Sequence, residues 1–241
     1  MTYGAGIEMI VAIDGPAGAG KSTVCRLLAT RLGYVYLDTG AMYRAVAWAL
    51  RQDGVDFEGG PPEEERLSRL PLRFAVEKGV LVVYYDGRIL QEELRQPDMS
   101  RLASIVSRFA CVRTFLTHRQ RALASESGMV AEGRDMTTVV FPDAALKVYF
   151  TADLATRVER RMAEYAGKGV AIEYSELERQ VRERDEADEQ RDVAPLRPAP
   201  DAVFLDTSRM DVSEVLKRLL DLISDRIRDE TNGSVPGDAP L

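Results

Sequence analysis

The chain has 241 residues, enough for one packed core with a small insert. Hydrophobic residues make up 45%, which excludes a disordered chain, and a formal net charge of -7 argues against a broad nucleic-acid or membrane-surface footprint. No stretch approaches the roughly 18 apolar residues of a membrane span, and residues 1–8 read as a loose leader without a signal-peptide pattern.

The first predicted element is a strand at residues 10–13. It runs into G-x-x-x-x-G-K-S at residues 15–22, followed by an amphipathic helix with Val24, Leu27, Leu28 and Leu32 on one face. Gly15, Gly18 and Gly20 allow turns that point successive N–H groups at a phosphate, and the helix aims its positive end at the same anion. Lys21 can reach β- and γ-phosphates, and the Ser22 hydroxyl can ligate Mg²⁺. Gly15, Pro16, Ala17, Gly18, Ala19, Gly20, Lys21, Ser22 and Thr23 are therefore the candidate ATP-binding residues. The alternative is a glycine-rich turn that binds nothing. The strand–loop–helix setting favours the phosphate cradle.

Gly33 stops the helix, and residues 34–37 form a second strand. It ends in Asp38-Thr-Gly-Ala-Met-Tyr-Arg44, which opens a helix carrying Val46, Trp48 and Leu50. Gly59-Gly-Pro-Pro-Glu-Glu-Glu65 marks a boundary. The period then changes to two: Leu72, Phe74 and Val76 alternate, residues 80–85 are β-rich, and Arg88-Ile-Leu90 follows a second turn. This predicts an antiparallel meander, read as an inserted subdomain over 59–104, with an ornamental edge hairpin as the alternative. Helices follow from about Asp98 and Cys111. Strands are predicted at 129–131, ending in Glu132-Gly-Arg-Asp135, and at 146–150. Asp153 starts a helix, Gly167-Lys-Gly169 interrupts, and residues 174–189 are helical. A last strand at 202–205 precedes a helix opened by Asp211-x-x-Glu214. Beyond Asp229 a frayed tail is expected. Five strands alternating with helices predict an α/β fold: a P-loop five-stranded parallel sheet flanked by helices, with the β insert and a helical lid at about 154–194. The core is expected over 9–58 and 105–230, with loose termini at 1–8 and 231–241.

Cys25 and Cys111 have no ligand spacing and read as buried free thiols, fitting a reducing cytoplasm. His118 is the single histidine, so a His-based triad lacks candidates.

All but five of the 32 basic residues are arginine. Arg157, Arg160 and Arg161 share one helical face, as do Arg184, Asp188 and Arg191. Two such faces joined at 167–169 look like a hairpin lid closing over phosphates. The competing reading is a solvated surface with ordinary Arg182–Glu186 and Arg184–Asp188 pairs. Beside a phosphate loop the cationic lid is favoured, because phosphoryl transfer depends on positioning and charge stabilisation.

The segments Ile13-Asp-Gly-Pro-Ala-Gly-Ala-Gly-Lys-Ser22, Leu37-Asp-Thr-Gly-Ala-Met-Tyr-Arg44, Gly133-Arg-Asp-Met136 with Val139-Val-Phe-Pro-Asp143, and Arg184-Asp185 through Arg191-Asp-Val-Ala-Pro195 together resemble the bacterial cytidylate kinases, a branch of the nucleoside monophosphate kinases. The resemblance spans nearly the whole chain. It implies ATP-dependent phosphorylation of CMP and dCMP by a cytoplasmic, monomeric enzyme that uses Mg²⁺ and has no nucleic-acid or membrane partner. It implies that the meander belongs to the monophosphate-binding region. It also implies that Thr39, Ser104, Arg113 and Asp135 face cytosine, that Arg44, Arg134 and Arg191 hold the acceptor phosphate, that Arg184 and Asp188 approach the ribose, and that Arg160 sits in the lid. Lys21, Arg134, Arg160 and Arg191 would carry catalysis. Asp38 is the further metal candidate, through water. The family often has Ser at Thr39, Asp at Glu132 and more basic residues between Arg184 and Arg191. A kinase for another monophosphate or small anion, and a nucleotide-dependent switch, are the rival readings.

Overall fold

The computed structural model describes residues 9–57, 59–96, 98–124 and 128–232. In chain order the strands are β1 (Ile10–Asp14), β2 (Val35–Asp38), β3 (Leu72–Glu77), β4 (Val80–Tyr85), β5 (Arg88–Ile89), β6 (Met129–Gly133), β7 (Leu146–Thr151) and β8 (Val203–Asp206). The helices are α1 (Lys21–Leu32), α2 (Thr39–Gln52), α3 (Glu64–Arg69), α4 (Met99–Val106), α5 (Ala110–Ala122), α6 (Leu154–Gly167), α7 (Tyr174–Glu189) and α8 (Val212–Asn232). The expected leader at 1–8 and the tail from 233 lie outside the described residues. The last helix continues to Asn232, past the boundary expected at Asp229.

Among the described residues all strands join one sheet in the order β3-β4-β2-β6-β1-β7-β8, with β5 also pairing β4. From β2 to β8 the pairing is parallel, and β1 lies between β6 and β7. The meander is antiparallel within itself and joins the sheet where Tyr36 pairs with Val80 in parallel. Its attachment is also hydrophobic: Trp48 of α2 meets Tyr85 of β4 edge to face at 4.9 Å. Val83, Leu90, Met99 and Leu102 share one core with Leu37, Met42 and Ala131 of the central layer.

The sheet buries both faces, as parallel strands require. Helices α2, α4 and α5 cover one face; α1 and α8 cover the other, around Ile13, Leu28, Phe150 and Leu219. Leu27 departs from its expected place on the apolar face of α1 and is 44% exposed. Helix α1 ends as its sequence requires, with Gly33 at φ 70 and its N–H donated to the carbonyls of Ala29 and Thr30. The capping box of α8 forms both ways: Glu214 N–H donates to Asp211 (2.9 Å), and Asp211 N–H donates to Glu214 (2.8 Å). Helices α6 and α7 form a hairpin with its own small core of Val158, Leu177 and Val181. Among the described residues three elements were not expected from the sequence: the one-and-a-half turns of α3, a 3-10 turn at Glu93–Arg95, and a π-type turn at Met136–Val140 directly after Asp135.

Candidate active site

Polar residues collect at the carboxyl ends of β1, β2 and β6, the usual ligand edge of a parallel sheet. Gly15, Gly18 and Gly20 have φ of 147, 78 and 86, so the loop's turns are ones that L side chains rarely make. A Cβ at Gly15 would also run into the carbonyl oxygen of Phe150. The first turn of α1 carries no acidic residue, leaving its N-terminal N–H groups free to favour an anion. The Lys21 ammonium donates to the carbonyls of Gly15 (2.6 Å) and Pro16 (2.8 Å). Burial, and then the Arg134 guanidinium, push its pKa down to about 7.

A cavity of about 330 Å³ opens beyond the loop, lined by Ala17 to Thr23 together with Asp38, Arg44, Glu132, Arg134, Arg161 and Arg184. Asp38 does two jobs: its carboxylate caps α2 by accepting from Ala41 N–H (2.8 Å), and it pairs with Arg44 at 3.1 Å. Glu132 is buried at the end of β6. Its carboxylate accepts from the Tyr36 hydroxyl and from Ser22, and burial followed by Asp38 holds its pKa up. A second cavity of about 650 Å³ lies between α4 and the hairpin, lined by Ser104, Arg108, Arg161, Tyr165 and Arg184 among others. Arg184 lines both cavities. Burial and then Arg134 lower its pKa to about 10, and its Nε has no hydrogen-bond partner among the described residues.

The remaining site residues form a buried layer behind these cavities. Arg113 and Asp135 make an ion pair there, and Arg113 also donates to the Ser107 carbonyl at 3.1 Å. Burial and then Asp135 raise the pKa of the Tyr43 hydroxyl beside them. Arg134 donates from Nε to Asp188 at 2.8 Å, and Arg191 pairs with the other oxygen of Asp188 at 3.5 Å. Burial works against ionisation of Asp188, but Arg134, Arg184 and Arg191 outweigh it and keep its pKa low.

The structure thus brings Lys21, Ser22, Asp38, Arg44, Arg134 and Arg184 to one cavity. Arg113, Asp135, Asp188 and Arg191 lie in the adjoining buried layer. Arg191 does not line the cavity that Arg44 and Arg134 share; it reaches that group through Asp188. Thr39 is buried with its hydroxyl donated to the Glu132 carbonyl at 2.6 Å. Arg160 is bound by the loop after β8, donating to the Thr207 hydroxyl (3.0 Å) and carbonyl (2.6 Å). The Arg182–Glu186 and Arg184–Asp188 pairs of the competing solvated-surface reading do not form among the described residues. Arg182 pairs with Glu178 instead, and Asp188 is taken by Arg134 and Arg191. Cys25 is a buried free thiol as expected, whereas Cys111 is half-buried and hydrogen-bonds the Pro62 carbonyl at 3.4 Å.

Three residues were not read as site residues from sequence. Glu132 stands at a strand end, next to residues that were. Arg157 was grouped only with the lid face, but it reaches the phosphate loop: it donates to the Ala17 carbonyl (3.2 Å) and pairs with Asp185 of α7 at 2.5 Å. Asp14 is fully buried at the end of β1, where burial raises its pKa to about 6. A charged residue closing an otherwise apolar strand was the available signal.

The cytidylate kinase family model matches residues 11–225. The chain is 44% identical over 218 residues to the cytidylate kinase of Thermotoga sp. (strain RQ2), covering 90% of this chain and 97% of that protein. It is 45% identical over 225 residues to the bifunctional pantoate ligase/cytidylate kinase of Synechococcus sp. (strain CC9902), covering 92% of this chain and 47% of that protein; it thus spans about half the length of such bifunctional relatives. Among solved structures, shikimate kinase from Acinetobacter baumannii in complex with shikimate is similar at 17% identity and a TM-score of 0.46, over 90% of this chain and 94% of that one. With the phosphate loop, the strand-end arginines and the family match running through the same residues, the chain belongs to the cytidylate kinase family.

Proposed function

We propose that the chain transfers the γ-phosphoryl group of ATP to CMP and dCMP, giving the diphosphates by in-line displacement. The observation that carries the acceptor assignment is the buried Arg113–Asp135 pair beside a cavity that opens onto the phosphate loop. Cytosine presents an N4 amino donor next to acceptors at N3 and O2, and a carboxylate beside a guanidinium is the complement of that edge. Uracil puts a carbonyl where Asp135 expects a donor. A missing partner at a buried site costs roughly 1–3 kcal/mol, a tenfold to hundredfold preference.

Arg44 and Arg134 hold the acceptor phosphate, with Arg191 steadying Arg134 through Asp188, and Arg184 and Asp188 approach the ribose. Thr39 and Ser104 border the base. Lys21 and the loop amides hold the donor phosphates, and Arg160 lies on the donor side of the lid. An oxygen of the acceptor phosphate is already anionic, so no general base is needed. The protein's work is to bring two anions together and offset the charge that spreads over the transferring group. Ser22, Asp38 and Glu132 offer hard oxygen atoms at the same cavity, a donor set that fits Mg²⁺. Among the described residues no group of three or more His, Cys, Asp or Glu side chains could hold a metal ion, so the Ser22 hydroxyl, the ATP phosphates and water would hold it, with Asp38 reached through water. Bound there, Mg²⁺ would neutralise charge on the β- and γ-phosphates.

Residues 59–104 act as the monophosphate-binding region and α6–α7 as the lid. The enzyme works as a monomer in the reducing cytoplasm, a setting that suits two free cysteines. A coupled assay with ATP across the nucleoside monophosphates tests the acceptor: CMP and dCMP should be turned over well above UMP and AMP. Equal rates on AMP and CMP overturn the assignment.

A further inference from the structure

The carboxylate of Asp14 makes contacts that no part of the proposed mechanism uses. It is the last residue of β1, it has no exposure, and Gly15 of the phosphate loop follows it. One oxygen accepts from the Met136 N–H at 2.9 Å. The other accepts from the Thr137 N–H and the Thr137 hydroxyl, both at 2.7 Å. Met136 and Thr137 are the two residues directly after Asp135. The backbone at Asp135 leaves the sheet with φ −146 and ψ 22, and its carbonyl accepts from Val139 (2.9 Å) and Val140 (3.1 Å) as the π-type turn closes. Helices rarely open on such a turn, and the Asp135 side chain at its N-cap makes no capping hydrogen bond to its first N–H groups. Asp14 supplies the cap from a different strand, more than 120 residues away in sequence. The rest of the junction has little freedom, because Gly15 is packed against the Phe150 carbonyl and Gly133 against Met136 and Thr39.

We infer that Asp14 is a positioning residue for acceptor selectivity: it clamps the turn after Asp135 so that the Asp135 carboxylate meets Arg113 and faces the base. The inference rests on the CMP reading given above. It assigns Asp14 no contact with substrate; its effect passes through Asp135. A buried carboxylate that accepts three hydrogen bonds suits this work. It can satisfy two consecutive N–H groups and a hydroxyl at once, which a neutral amide of the same size cannot.

The test is steady-state kinetics with CMP and UMP as acceptors. The proteins are the wild type, Asp14→Asn, Thr137→Val, Asp135→Asn and the double variant Asp14→Asn/Asp135→Asn. In Asp14→Asn the amide NH₂ confronts a backbone N–H. The KM for CMP should rise about tenfold and the CMP-over-UMP ratio of kcat/KM should fall about tenfold, while the KM for ATP moves less than threefold. Thr137→Val removes only the hydroxyl contact, so it should lose two- to fivefold of the ratio. It keeps the inference testable if Asp14→Asn fails to fold. The double variant should discriminate no worse than Asp135→Asn alone. A purely structural Asp14 would lower thermal stability and raise both KM values together. An unchanged CMP-over-UMP ratio in folded Asp14→Asn, or in Thr137→Val where Asp14→Asn does not fold, overturns the inference, as does a multiplicative loss in the double variant. If the wild type itself fails to discriminate CMP from UMP, the acceptor reading fails and this inference with it. If the wild type discriminates and the Asp14 and Thr137 variants do so equally well, the inference alone fails.

Discussion

At the scale of single residues, burial opposes the charged forms of Lys21, Glu132, Arg184 and Asp188. Lys21 is the clearest case. Burial and the neighbouring Arg134 bring its pKa to about 7, so near neutrality part of the population is uncharged. Donor phosphates placed against it favour the ammonium form. ATP binding above pH 7 should therefore take up a proton, and calorimetry in two buffers of different ionisation enthalpy should show uptake growing from pH 7 to 8.5. Lys21→Ala should abolish that linkage and lower kcat by at least 10²- to 10³-fold, the usual cost of removing one charge-stabilising donor. Asp135 is held by the Arg113 guanidinium of α5. Asp135→Ala leaves Arg113 buried without its carboxylate, so the variant should lose most discrimination against UMP while ATP affinity holds. Competition between the two acceptors in one assay reads this directly.

At the scale of elements, each strand end is tied to something distant. Gly15 cannot be replaced by Ala without moving the Phe150 backbone, so Gly15→Ala should raise the KM for ATP more than tenfold and lower the melting temperature. Asp14 links β1 to the turn at 136–140, and its titration has a definite sign. Its pKa is about 6 in the folded protein and 3.8 for an ordinary aspartate, so the folded form binds the proton more tightly than the unfolded chain. The stabilising contribution is fully present below pH 3.8 and is lost as pH rises through 6. Its size is about 3 kcal/mol. Asp14→Asn does not titrate. Urea denaturation should therefore show the stability gap between wild type and variant shifting in favour of the wild type as pH falls from 7 to 4.5.

At the scale of the molecule, the hairpin of α6 and α7 hangs from the core by few ties. Its own apolar cluster is small, and its polar ties to the core run from Arg157 to the Ala17 carbonyl, from Arg160 to Thr207 and from Asp188 to Arg134, with Arg157 also holding Asp185 of α7. Removing one partner of a buried pair costs roughly 3–5 kcal/mol, because the other is left uncompensated. Arg157→Ala should speed amide exchange in α7 far more than in β1 or β6. It should also lower kcat and leave global melting nearly unchanged, since the sheet core does not depend on it.

Much of this architecture was legible in the residues because it is set locally. Glycines at 15, 18 and 20, an apolar strand before them and an amphipathic helix after them need no distant partner to define a phosphate loop. The alternation at 72–90 and the punctuation at 78–79 and 86–87 likewise define a meander by themselves. The cationic residues at strand ends were visible as candidates for the same reason. What pattern could not supply was partnership. Arg182 had an acidic neighbour four residues away on either side, and the structure pairs it with Glu178. Arg184 and Asp188 have ideal helical spacing, yet Asp188 is claimed by Arg134, which approaches from β6. Asp14 reads as one more polar residue before a turn until β6 lies beside β1 and brings Met136 and Thr137 to its carboxylate. Local geometry follows from residue order. Which buried charges meet, and hence which ones stay ionised, is decided only when strands far apart in sequence become neighbours in the sheet and water is excluded between them.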